Sequence, residues 1–264
     1  MTTTLRREAL RILLIQDATK KAFESRQMDA QCADGASESL HERLELPGRP
    51  AKPILVDHTA LKQRSISTRE GRGALIHALV HIELNAIDLA LDVVWRFPGM
   101  PREFYDDWIS VAKEEAHHFE LLAAHLRTIG FDYGDFPAHN GLWQMAEKTK
   151  GDLLARLALV PRTLEARGLD ASPAVKAKLL QAGDEPGARI LDIILRDEIR
   201  HVHIGNTWYR AICTRRGLDP IDTYTKLAKA YAAPRPRGPF NFDARRAAGF
   251  DEEELSLLAH TAEP

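Results

Sequence analysis

Two copies of one five-residue pattern carry the chemistry-bearing residues of this chain. Glu114-Glu115-Ala116-His117-His118 and Asp197-Glu198-Ile199-Arg200-His201 both read acid-Glu-x-x-His. Glu and His three residues apart share one face of a helix. Two such pairs, with single glutamates at Glu83 and Glu165, supply four carboxylates and two imidazoles. That set suits a carboxylate-rich dimetal centre inside a four-helix bundle, holding two iron ions with manganese or zinc as substitutes.

Periodicity predicts that these polar residues face inward. Trp108, Val111, Glu115, His118, Leu122, His125 and Ile129 step alternately by three and four, as do Leu191, Ile194, Glu198, His201, Gly205, Trp208 and Ile212. Each Glu-x-x-His pair interrupts an apolar stripe at its middle. A buried carboxylate is costly unless paired or metal-bound. Glu83 continues the stripe Ile76, Leu79, Glu83, Ile87, Ala90, Val94, and Glu165 follows Leu154, Leu157 and Pro161. Pro161 predicts a kink one turn before Glu165, serving either to aim that ligand or simply to pack.

The shifted pair, Glu114 with His117, would turn Asp107 and Ser110 inward and is disfavoured. Asp197 and Glu114 are candidates for orienting the ligand histidines across the bundle, against solvated surface acids as the alternative. His81, His117 and His203 lie off the stripe and read as surface or supporting groups. His139 has no assigned role. Tyr105, Tyr133 and Tyr209 read as packing, with redox chemistry as the alternative. One Glu-x-x-His alone means little, and buried Glu–His hydrogen bonds without metal are the bland alternative to the whole pattern.

The elements that must position these residues are helical. Helices are expected over 4–28, 70–96, 101–129, 142–167 (stopping at Gly168), 173–182, 184–216 and 251–259, with an extended strap over 47–68 and an irregular connection over 131–141. No strand is expected. Glu83 and Glu115 are 32 residues apart and Glu165 and Glu198 are 33 apart. Helices of about 25 residues joined by a short loop give roughly this spacing when ligands meet at mid-height. The chain is organised as an N-terminal helix and strap (1–69), a four-helix bundle (70–217) and a C-terminal extension (218–264).

The 264 residues are 44% hydrophobic, enough for a real core, and the net charge is −2. That balance gives no electrostatic case for nucleic-acid or membrane binding. No apolar run approaches the roughly 20 residues that span a bilayer, and the first residues lack a signal-peptide core. Cys32 and Cys213 form no CxxC and are expected to be free thiols of a cytoplasmic protein.

The residues Glu83, Glu115-x-x-His118, Glu165 and Glu198-x-x-His201 resemble the ferritin-like diiron superfamily. The stretches HIELNAIDLALD, EEAHHFELL, YGDFPAHNGLW, LVPRTLEARGLD and DEIRHVHIGNTWY are similar to an uncharacterised bacterial ferritin-like family, a domain of unknown function, over residues 45–255. The resemblance implies an all-α, ferritin-like four-helix bundle with a diiron site. It implies that Glu115 and Glu198 bridge the irons, that Glu83 with His118 completes one and that Glu165 with His201 completes the other. Superfamily members include ferroxidases, peroxidases, oxidases and hydroxylases, so the fold does not fix the reaction.

The expected function is a non-haem diiron oxidoreductase that activates dioxygen or peroxide and oxidises or hydroxylates a small organic substrate, with an unidentified electron donor. A ferroxidase or other iron-handling role, and a metal-stabilised bundle without catalysis, are the alternatives. The extra terminal segments argue against a minimal cage subunit. A tRNA substrate, known for one superfamily hydroxylase, is the open nucleic-acid case. The chain does not specify an oligomeric state.

Overall fold

The structure, a computed structural model, describes residues 3–62 and 64–261. Residues 1, 2, 63 and 262–264 of the expected strap and terminal segments lie outside them. The described residues are helical, with a single isolated parallel bridge, Leu55 to Ala138, and no named strand. The chain folds into two compact units: one reaches to Trp143 and adds Ala182–Ile190, and the other comprises Gln144–Gln181 and the chain from Leu191 onward.

The first unit is built on a helical hairpin of α3 (Arg69–Arg96) and α4 (Arg102–Ile129). Thr68 starts α3 by accepting a hydrogen bond from the Gly71 N–H. Gly130, at φ 88°, ends α4 in the left-handed conformation that glycine adopts without penalty. α1 (Leu5–Leu13) and α2 (Ala18–Arg26) pack against this hairpin. They replace the single helix expected over 4–28. The break has two causes: Asp17 caps α2 by accepting from Lys20 N–H, and the Gly48 N–H of the strap bonds Leu13 O at 2.9 Å, at the end of α1. A Cβ at Gly48 would lie 2.1 Å from Leu14 O, so only glycine allows that approach.

The segment expected as a strap over 47–68 contains no α-helix among its described residues. It carries one short 3-10 turn, His58–Ala60, and is tied down by Val56 N–H to Ala138 O at 2.8 Å and Ala138 N–H to Ile54 O at 3.1 Å. α3 has the length and mean hydropathy to cross a bilayer, although Glu83, Asp88 and Asp92 interrupt its apolar runs, and it is mostly buried inside the protein, as in the core of a soluble fold.

The segment after α4 departs most from expectation. In place of one helix over 142–167 there are α5 (Gly141–Lys148), α6 (Leu153–Leu159) and a π-helical turn, Val160–Glu165. Asp152 starts α6 by accepting from Leu154 and Ala155 N–H. α7 (Ala166–Gln181) then runs through Gly168 and Pro173 and absorbs the expected helix over 173–182. A lone exposed-interior glycine costs a helix only ~1 kcal/mol, which packing overrides: Leu169 and Leu179 of α7 are fully buried.

α8 (Glu185–Arg216) ends before Gly217, at φ 63°. Three helices occupy the tail: α9 (Pro220–Ala230), α10 (Phe242–Ala247) and α11 (Glu252–Thr261). The first two were not expected. Pro220 starts α9 rather than merely stopping α8, with Asp219 as the cap. Ala244, Ala248, Phe250 and Leu255 of the tail form a core with Ala166, Leu169 and Val202.

Candidate metal centre

Each helix of the hairpin carries part of a buried polar cluster. On α3, Ile76, Glu83, Ile87, Ala90 and Val94 are buried, with Leu79 partly so. On α4, Trp108, Val111, Glu115, His118, Leu122 and His125 are buried. Glu114 and His117 are only half-buried, so the inward face carries Glu115 and His118.

Glu83, Glu115 and His118 each offer a ligand atom within 4.8 Å of the others. Glu83 Oε2 and Glu115 Oε2 both lie 3.3 Å from His118 Nδ1. One imidazole nitrogen thus stands before two carboxylates, with Glu83 Oε2 buried and outside hydrogen-bonding geometry. Burial first, and the nearby Glu115 charge second among the raising causes, pushes the Glu83 pKa well above the carboxylate range, partly offset by His118. Burial opposes charge on His118, but the Glu115 and Glu83 carboxylates outweigh it and push its pKa up to about 11. Both shifts have one physical meaning: two carboxylates out of water demand a positive charge beside them. A proton answers that demand in part. A divalent cation answers it more fully, and this donor set of oxygen and imidazole nitrogen fits iron, manganese or zinc.

The second unit carries the other copy of the motif. Leu191, Ile194, Glu198, His201, Gly205 and Ile212 of α8 are buried, while Trp208 is half-buried. Glu198 Oε1 lies 3.9 Å from His201 Nδ1, one helical turn along the same face. Glu165 is the last residue of the π turn and is half-buried, with its Oε2 atom buried. The distortion at Pro161 therefore takes the form of a widened turn ending on the candidate ligand. Single-turn π bulges frequently mark functional sites.

The supporting residues differ from expectation in part. Asp197 is half-buried and forms an ion pair with the adjacent Arg196 at 2.7 Å. His203 is exposed, as read. His81 is buried: Tyr133 OH lies 2.8 Å from its Nδ1 and His139 O lies 3.0 Å from its Nε2. Asn85 Nδ2 also lies 3.1 Å from that Nε2. His139 also uses its ring, Nδ1 accepting from Gly141 N–H at 3.1 Å. Tyr105 donates to Phe97 O and Tyr209 to Pro220 O, so both hydroxyls serve packing.

Sequence reading missed His77. It is fully buried, accepts from Gly134 N–H at 2.9 Å through Nε2 and stacks on Tyr133 with ring centroids 5.2 Å apart. Its position one residue after Ile76 on a helix buried on most faces was the available signal.

Residues 14–256 match a family described as a protein of unknown function (DUF455). A Haemophilus influenzae protein, named only as uncharacterised, is 50% identical over 216 residues, covering 79% of this chain and 75% of the relative. No solved structure matches.

Proposed function

The chain belongs to the DUF455 family, and we propose that its two Glu-x-x-His half-sites together form a diiron-carboxylate centre of the ferritin-like kind, in a cytoplasmic oxidoreductase. Glu83, Glu115 and His118 hold metal from α3 and α4, and Glu165, Glu198 and His201 hold it from the second unit. The observation that carries this reading is the triad itself: two buried carboxylate oxygens, each 3.3 Å from one imidazole nitrogen. Burying two carboxylates is costly unless they are paired or hold a metal. The doubled motif in the sequence supplies the second half.

Two iron ions, when bound, supply the electrons that activate dioxygen or peroxide. The protein's share is positioning and exclusion. Ile76, Ile87, Trp108 and Leu122 are nearly or fully buried on the helices that carry the triad, and they keep bulk water from it. A dry site strengthens every charge interaction within it. His118 is held between Glu83 and Glu115, which fixes its ring. The substrate is a small organic molecule that is oxidised or hydroxylated.

The test is the oxidation rate of Fe(II) in the loaded protein after mixing with oxygenated buffer, against free Fe(II) at the same pH. Faster oxidation with a limit of two irons per chain supports oxygen activation at a dimetal site, and stoichiometric Fe(II) oxidation with no organic substrate present favours the ferroxidase alternative. Uptake of many irons into a large particle moves the protein to iron storage. No acceleration removes the oxygen-activation reading.

A further inference from the structure

Glu165 is presented by the only π-helical turn among the described residues, Val160–Glu165. Such a turn is rare because α-helical hydrogen bonding is normally preferred. Here three successive residues of the turn are fixed from outside. Pro161 fills the space left by a glycine on α8: a Cβ at Gly205 would lie 2.6 Å from Pro161 Cβ.

Arg162 is 4% exposed. Its Nη1 donates to Asn206 Oδ1 at 3.0 Å, and its Nη2 pairs with Glu254 of α11. Its guanidinium also lies over Tyr209, Tyr224 and Phe250, at 4.6, 5.4 and 5.1 Å from the ring centroids. Thr163 Oγ1 donates to Ala158 O at 2.8 Å and lies 3.1 Å from the Tyr224 hydroxyl. Glu254 is itself held: it pairs with Arg210 and accepts from Asp251 N–H at 3.0 Å. The turn is therefore gripped by α8, by α9 and by the last helix of the tail. Glu83, Glu115 and His118, by contrast, sit on the regular helices α3 and α4.

We propose that the C-terminal segment, through Glu254 acting on Arg162, positions Glu165, so that the two metal positions load unequally. The position using Glu83, Glu115 and His118 fills first. The position using Glu165 fills second, and only while α11 is docked. Arg162 and Glu254 are positioning residues that touch no metal. The inference rests on the dimetal reading above.

The experiment is an anaerobic Co(II) titration of the full chain, followed by visible absorption and equilibrium dialysis, with helix content measured by circular dichroism. Wild type should bind two ions in two resolved steps. Glu254→Ala should keep the first step and weaken the second by about tenfold or more, the scale of a lost outer partner. Gly205→Ala, which keeps every charge and displaces only Pro161, should do the same. If Glu254→Ala loses helix content, Gly205→Ala and Thr163→Val decide the matter. Two steps of wild-type affinity in the folded variants would overturn the proposal, as would equal loss of both steps or equal affinities in wild type. A wild-type chain that binds no Co(II) would instead overturn the dimetal reading, and this inference with it.

Discussion

Glu83 Oε2 lies 3.3 Å from His118 Nδ1, although the two residues belong to different helices. The contact fixes which pair of the Glu-Glu-Ala-His-His stretch faces inward. His118→Ala should therefore weaken metal binding by more than the ~10–100-fold that loss of an outer partner costs. His117→Ala should stay near wild type. Dialysis against Fe(II) under anaerobic conditions compares them. A larger loss in His117→Ala would mean that α4 is rotated from this arrangement.

The buried pair Lys21 and Asp88 should make the first unit sensitive to loss of either partner. Lys21 Nζ lies 2.5 Å from Asp88 Oδ1 and also donates to Gly48 O at 2.8 Å. The two side chains are 2% and 3% exposed, and burial lowers the lysine pKa and raises that of the aspartate. Those opposite shifts both record desolvation, so the pair is no large net gain, but removing one member leaves a lone buried charge. Asp88→Asn should destabilise the fold by ~3–5 kcal/mol. Chemical denaturation measures it, and a loss below about 1 kcal/mol, typical of an exposed pair, would contradict the account.

His77 should remain neutral well into acid. Burial pushes its pKa down to about 4, with Asp135 opposing. The Gly134 N–H already points at Nε2, so protonation there would set two donors against each other. The folded pKa lies below the unfolded one near 6.5. Neutral His77 thus contributes its full stability above about 6.5, and that contribution falls as pH drops toward 4, at roughly 1.4 kcal/mol per unit. Histidine ring resonances should show His77 unchanged from pH 8 to 5. A midpoint near 6.5 would contradict its burial.

Much of this site was legible because burial imposes a period. Glu115 and His118 replace apolar residues in a regular stripe, and Glu83 does so on α3, so spacing alone points all three inward. The break between α1 and α2 was hidden because Leu13 and Leu14 continue the apolar pattern up to it. What ends α1 is Gly48, 34 residues beyond Leu14. The failure at Gly168 is a case of packing overriding propensity. α9 was hidden behind Pro220, whose role as a starter depends on Asp219 beside it. The lock on the π turn could not be read at all, because Arg162 and Glu254 are 92 residues apart in sequence.

Cys32 and Cys213 are both free in the structure. Thiol titration of the denatured, unreduced protein should find both. Fewer thiols would indicate a disulfide between chains or an oxidised cysteine.

Metal stoichiometry tests the central claim most directly. Wild-type protein loaded anaerobically with Fe(II) and desalted should hold two irons per chain, as a site of four carboxylates and two histidines does. Glu115→Ala and Glu198→Ala should each lose most of that iron while keeping helix content. Iron bound at wild-type levels in both variants, or none bound by the wild type, would contradict the dimetal centre.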